Sequence, residues 1–131
     1  MTTKNFFTYQ TLLNFGFGLG LFFFPQMMLD TYAAQKTDVT STFEIVARGY
    51  GTALIGLGIA AFLMRHAGAS LARYAFLVAT CATGVLVIMV HLRALLRGDE
   101  NSLGWLTVFL LGIVVAWSGL LISKEDRKVL E

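Results

Sequence analysis

Apolar residues in this chain gather into four long blocks instead of alternating with polar ones. The blocks run roughly from Phe6 to Leu29, Ile45 to Met64, Tyr74 to Leu92 and Leu103 to Ile122. A hydrocarbon layer of about 30 Å takes about 20 apolar residues in a helix, and each block has that length. The remainder is two tails and three short loops, and short loops make neighbouring helices antiparallel. The pattern predicts an all-α protein, a four-transmembrane-helix up-down-up-down bundle forming one integral membrane domain.

Composition points the same way. Hydrophobic residues make up 56% and charged residues 14% of the 131, with a mean hydropathy of +0.71, far from soluble usage. The formal charge of +2 does not indicate a nucleic-acid partner, because the basic residues are scattered over the block ends and form no patch. Lys4 followed by an apolar run has the outline of a signal peptide. The run is too long for one, and Tyr32-Ala33-Ala34 is a poor cleavage site, so the first block is expected to remain as a helix.

Lys and Arg near the block ends predict orientation. One side would carry Lys4, Arg65, Arg73, Lys124, Arg127 and Lys128; the other would carry Lys36, Arg93 and Arg97, with Arg48 just inside the second block. The first side is the expected cytoplasmic one, which puts both termini inside. Tyr9, Tyr74 and Trp117 would anchor the inner interface, and Tyr32, Tyr50 and Trp105 the outer one.

Small residues suggest where helices meet, because lipid tails are as apolar as Leu and association depends on close backbone approach. The candidate seams are Gly16 and Gly20 with Gly18 between them, then Gly49, Thr52, Ala53, Gly56 and Ala60, then Thr80 and Gly84, then Gly112, Ala116 and Gly119. A nucleotide-binding reading of these glycines fails, since no strand precedes them. Pro25 is expected to kink or end the first helix and turn Gln26 to Leu29 along the interface. Asn14 lies about 12 Å into that helix, with Gln10 one turn earlier on the same face. Such amides hydrogen-bond a neighbouring helix or contact a ligand.

The ionisable residues closest to the membrane form the candidate site. Glu44 and Arg48 have the i, i+4 spacing of a helical ion pair, His91 enters from the third block at similar depth, and Arg93 and Arg97 follow it. Two readings stand side by side. The arginines snorkel to headgroups, or together with His91 and Asn14 they form an outer pocket for a polar ligand tip whose apolar tail lies between helices.

No metal, haem or other cofactor is expected, because the two histidines, His66 and His91, fall on opposite sides of the membrane. Nor is a catalytic residue assigned: Ser102, Ser118 and Ser123 lack a histidine and an acid at their depth, and Cys81 lies mid-membrane without a base. As a single cysteine it forms no intrachain disulfide.

Phe24-Pro25 closing the first block, then Arg48-Gly49-Tyr50-Gly51 and Leu54-Ile55-Gly56-Leu57-Gly58 in the second, resemble the small bacterial four-span membrane proteins of the DoxX-like type. The resemblance covers mainly the first half of the chain. It implies a bacterial inner-membrane protein and carries over no catalytic residue. The expected function is a non-enzymatic membrane protein: an accessory or assembly subunit, or a binder of a lipid or other hydrophobic small molecule. Its partners would be that ligand and a larger membrane complex or homo-oligomer. The alternatives are an oligomeric small transporter, or a membrane enzyme acting on a lipid or quinone with His91 as acid or base and Glu44 beside it.

Overall fold

The computed structural model describes residues 2–35, 38 and 40–129, with side chains described as far as Glu125. Lys36, and the side chains of Arg127 and Lys128, which entered the charge argument above, lie outside the described residues. Among the described residues there are five helices and no strand: α1 Thr3–Phe23, α2 Pro25–Tyr32, α3 Ser41–Met64, α4 Leu71–Arg97 and α5 Gly104–Val129. Three of them are long and apolar enough to cross a membrane, or four spans result if α1 and α2 count as one bent span.

Local chemistry sets the boundaries. Thr2, Thr40 and Ser70 cap α1, α3 and α4, each hydroxyl accepting a hydrogen bond from the backbone N–H three residues on. At its other end α4 stops on Gly98, whose φ of 77° lies in the left-handed region that glycine enters without penalty. Between α1 and α2 the chain bends by 111°. Phe24 leaves helical geometry, and Pro25, which has no N–H to give Leu21, opens α2 as its first residue. The first block is therefore two helices.

Packing proceeds by pairs. α1 lies along α3 and α4 lies along α5, whereas contact between the two pairs is sparse. Gly18 and Gly51 mark the closest approach of α1 to α3: a Cβ on Gly51 would stand 2.7 Å from the Gly18 carbonyl oxygen and 2.8 Å from the Phe22 nitrogen. In the other pair a Cβ on Gly84 would stand 2.8 Å from the Val115 side chain. Thr80 and Gly84 thus face inward as the sequence suggested. So does Gly18, and Gly20 packs on Met28, but the other candidate glycines do not. Gly16, Gly49, Gly56, Gly112 and Gly119 face open space, and the buried positions of α3 are Ala47, Gly51, Gly58 and Ala61. Gly49 and Gly56 lie on one side of α3 and Gly51 and Gly58 on another, seven apart in each case, and composition could not say which side meets α1.

The pairs converge at the end that carries Thr3. Phe6, Phe7, Ala61, Leu77, Val114 and Leu121 form the core there, drawn from all four long helices. Tyr9 and Trp117, partly buried, pack against that core, with ring centroids 6.3 Å apart and the Tyr9 hydroxyl donating to the Leu110 carbonyl at 3.2 Å. Below them Arg73 and Glu125 form a buried ion pair. Arg73, expected as a rim charge, is a partner inside the bundle. The outward faces are apolar, carrying Leu12, Ile45, Val46, Leu86 and Phe109, a surface that hydrocarbon covers better than water.

Candidate functional site: a cavity between the helix pairs

Away from the aromatic core the two pairs diverge and enclose a cavity of about 390 Å³, within the range of small-molecule sites. Phe17 and Leu21 of α1, Leu54 of α3, Val87 of α4 and Leu111 of α5 give it apolar walls. Thr80 and His91 both line it, and eleven helical steps between them correspond to a length of about 16 Å. Phe43, Tyr50 and Leu57 of α3 and Ala79 and Thr83 of α4 also line it while remaining exposed at the surface. The cavity therefore opens sideways between α3 and α4, the flank on which the two pairs are not packed together.

Polar side chains interrupt the apolar wall: Tyr50, Thr80 and Thr83 along α3 and α4, and two further groups. On α1, Gln10 and Asn14 are 8% and 6% exposed, and Oε1 of Gln10 and Nδ2 of Asn14 have no hydrogen-bond partner among the described residues. A buried amide atom left unpaired costs about 1–3 kcal/mol, and Arg73 Nε, Trp117 Nε1 and Glu125 Oε2 share that state at the other end of the bundle.

The second group closes the far end. His91 Nδ1 lies 2.9 Å from Glu100 Oε2, and the Tyr32 ring lies 6.4 Å from the imidazole, centroid to centroid. Thr107 Oγ1 donates to the Tyr32 hydroxyl at 3.1 Å. Gly104, the first residue of α5, leaves the room that Glu100 fills: a Cβ there would stand 2.5 Å from Glu100 Oε2.

α2 covers this end and is fastened down. Met28 folds back over Gly20, where a Cβ would stand 2.8 Å from the Met28 sulfur. Asn101 Nδ2 donates to the Thr31 carbonyl at 2.8 Å, the Asn101 N–H donates to the Tyr32 carbonyl at 2.8 Å, and the Ala34 N–H donates to the Asp99 carbonyl at 3.0 Å. The α4–α5 loop thereby holds the C-terminal end of α2.

The residues singled out from the sequence fall in three places. Asn14 and His91 line the cavity. Glu44 and Arg48 line a separate open groove with Phe23, Phe24 and Pro25. There Arg48 donates to Glu44 Oε1 through Nε and Nη2, at 3.0 and 2.7 Å, and through Nη1 to the Phe22 carbonyl at 3.0 Å. Arg48 thus satisfies a carbonyl at the end of α1, which the bend at Pro25 frees. Arg93 and Arg97 are exposed on the last turns of α4 and line neither space. The carboxylate beside His91 is Glu100, whereas Glu44 pairs with Arg48.

Glu100 and Thr107 escaped the sequence reading, and Tyr32 entered it only as an interface anchor. One signal was available for Glu100: a glycine closing a helix turns the chain back, and Gly98 stands between His91 and the acid. Among the described residues, no three His, Cys, Asp or Glu side chains gather as a metal-binding set. The chain matches no family model, no curated protein and no solved structure.

Proposed function

We propose that this protein is a non-enzymatic, membrane-embedded binder of a lipid or other hydrophobic small molecule, which enters from the bilayer between α3 and α4. In this reading α1 and α2 act as one bent span, the bundle runs up-down-up-down, and both termini face the cytoplasm. Lys4, Arg65 and Lys124 at the closed end support that orientation. A bacterial inner membrane and kinship with the DoxX-like proteins belong to the same proposal. So does a role as accessory subunit, holding its ligand within a larger membrane assembly or homo-oligomer.

The observation that carries the reading is the apolar cavity with a sideways mouth and unpaired amides on its wall. A cavity of this kind suits a molecule already dissolved in the bilayer, since neither partner crosses water. The test is extraction in mild detergent followed by mass spectrometry of the attached lipids and small molecules. A near-stoichiometric hydrophobic ligand is expected on the native chain, and Ala79→Trp, which crowds the mouth, should lose it while retaining helicity. An empty native protein, or equal retention in Ala79→Trp, would reject the proposal.

One observation favours a second reading. The hydrogen bond that His91 Nδ1 donates to Glu100 orients the imidazole at the cavity wall, the arrangement by which a carboxylate sets the tautomer of an acid–base histidine. A membrane enzyme acting on a lipid or quinone would use Nε2 of that ring. Chemical change of the bound molecule by the native chain, and its absence in His91→Gln with binding intact, would select this reading over simple binding.

A further inference from the structure

Lys4 stands fourteen residues before Gly18 on α1, and Arg65, which ends α3, stands fourteen after Gly51. Fourteen residues are close to four helical turns, so each cation returns to the face by which its helix meets the other at the Gly18–Gly51 crossing. Phe6, Phe7 and Ala61 keep the two helices together as far as this closed end. Both cations therefore emerge where the α1–α3 seam runs out, away from the cavity.

Arg65 is held in position. Its guanidinium lies over the Phe62 ring, 4.5 Å from the centroid, and Nε donates to His66 Nε2 at 3.2 Å. Nη1 and Nη2 have no hydrogen-bond partner among the described residues. A neutral imidazole that accepts at Nε2 donates at Nδ1, so His66 adds a further N–H to the rim. Phe62 is exposed together with Ile59 and Leu63, an apolar strip on the outside of α3. An arginine laid over a lipid-facing ring stands at the boundary between hydrocarbon and headgroups.

Among the described residues no acid opposes these cations. Glu125, the carboxylate at this end, is buried against Arg73, and Lys4, Arg65 and Lys124 have no acidic partner. After Glu125 the sequence holds Asp126, Arg127, Lys128 and Glu131, whose formal charges cancel. A zwitterionic head would bring an ammonium group to a surface with no carboxylate to receive it. A head of net negative charge finds an arginine fork, an ammonium group and an imidazole N–H.

From this geometry we infer that the rim at Lys4, Arg65 and His66 binds an anionic phospholipid. Its phosphate rests on the Arg65 guanidinium and the Lys4 ammonium group, and an acyl chain lies along Phe62 and Ile59. The site is independent of whatever the cavity holds.

The test uses the full chain in detergent micelles, with bound lipids counted by native mass spectrometry as palmitoyl-oleoyl phosphatidylglycerol or phosphatidylcholine is added. A Lys or Arg at headgroup level contributes about fivefold in affinity for an anionic lipid, so the native chain should prefer phosphatidylglycerol by roughly tenfold or more. Lys4→Gln and Arg65→Gln should each lower phosphatidylglycerol affinity about fivefold. Their unchanged phosphatidylcholine binding would show both variants to be folded. Arg93→Gln, at the opposite end, and Ala79→Trp, at the cavity mouth, should keep the native preference. Equal affinity for the two lipids in the native chain, or equal loss in Arg93→Gln and Arg65→Gln, would overturn the assignment. So would loss in Ala79→Trp, which would put the lipid in the cavity, or displacement of the lipid by millimolar glycerol 3-phosphate, which would make the ligand a free anion.

Discussion

His91 and Glu100 meet across the end of α4, with Nδ1 and Oε2 2.9 Å apart, because Gly98 turns the chain back and Gly104 leaves the carboxylate its space. Gly104→Ala would put a methyl group where Glu100 Oε2 now lies. The carboxylate ends a flexible side chain and can move aside, so the expected cost in stability is small, under about 1 kcal/mol. The expected local effect is loss of the His91 contact, visible as a changed imidazole nitrogen shift in the NMR spectrum of the variant. An unchanged shift would show that the glycine is not what positions the pair.

The closest crossing of α1 and α3 makes a sharper prediction. A methyl group on Gly51 meets backbone atoms of Gly18 and Phe22, which cannot rotate away. Gly51→Ala should destabilise the fold by about 1–3 kcal/mol. Gly56→Ala, on the open side of the same helix, should be neutral or stabilise by up to about 1 kcal/mol through helix propensity. Unfolding equilibria in mixed micelles compare the two, and equal effects would contradict the observed seam.

Arg48 carries two roles that substitution separates. Arg48→Met removes both the Glu44 pair and the bond to the Phe22 carbonyl, whereas Glu44→Gln leaves the second in place. The pair is only half buried, at 43% and 45% side-chain exposure, so its own worth is about 0–1 kcal/mol. Arg48→Met should therefore cost more than Glu44→Gln, and amide exchange should rise around residues 22–26. Equal costs would mean that capping of α1 contributes nothing.

The fastening of α2 depends on Asn101. Asn101→Leu removes the side-chain bonds to the Thr31 and Ala33 carbonyls but keeps the backbone bond to Tyr32. Faster hydrogen exchange across residues 28–34, with the long helices unaffected, is the expected result.

Arg73 and Glu125 test the closed end. Removing one partner, as in Glu125→Leu, leaves a buried guanidinium uncompensated and should cost about 3–5 kcal/mol. Arg73→Met combined with Glu125→Leu should recover most of that loss. A double variant no more stable than the single one would show that the pair's geometry, and not its charge balance, supports this end.

Much of the local structure was legible in the residue order. The apolar lengths announced the long helices, Pro25 announced the break after the phenylalanines, and Thr80 with Gly84 marked a true seam. The site was legible only in part. Asn14 and His91 stood out as polar residues in apolar helices, and both line the cavity. Arg48 stood out equally, yet its guanidinium is spent on Glu44 and Phe22. Tyr32 and Thr107 looked like an interface anchor and an ordinary helix residue.

The sequence by itself announced the long helices and the single sharp bend, because apolar length and proline geometry are local, whereas the helices run several residues past the apolar blocks to their caps at Thr40, Ser70 and Gly98. Tertiary structure alone decided which face of α3 and of α5 turns inward. In a lipid-covered bundle the outside is as apolar as the inside, so hydropathy carries no signal that distinguishes Gly49 from Gly51 or Gly56 from Gly58. The cavity follows from that choice of faces. With α1 committed to α3 and α4 to α5, space remains between the pairs, and Gln10, Asn14 and His91 line it together.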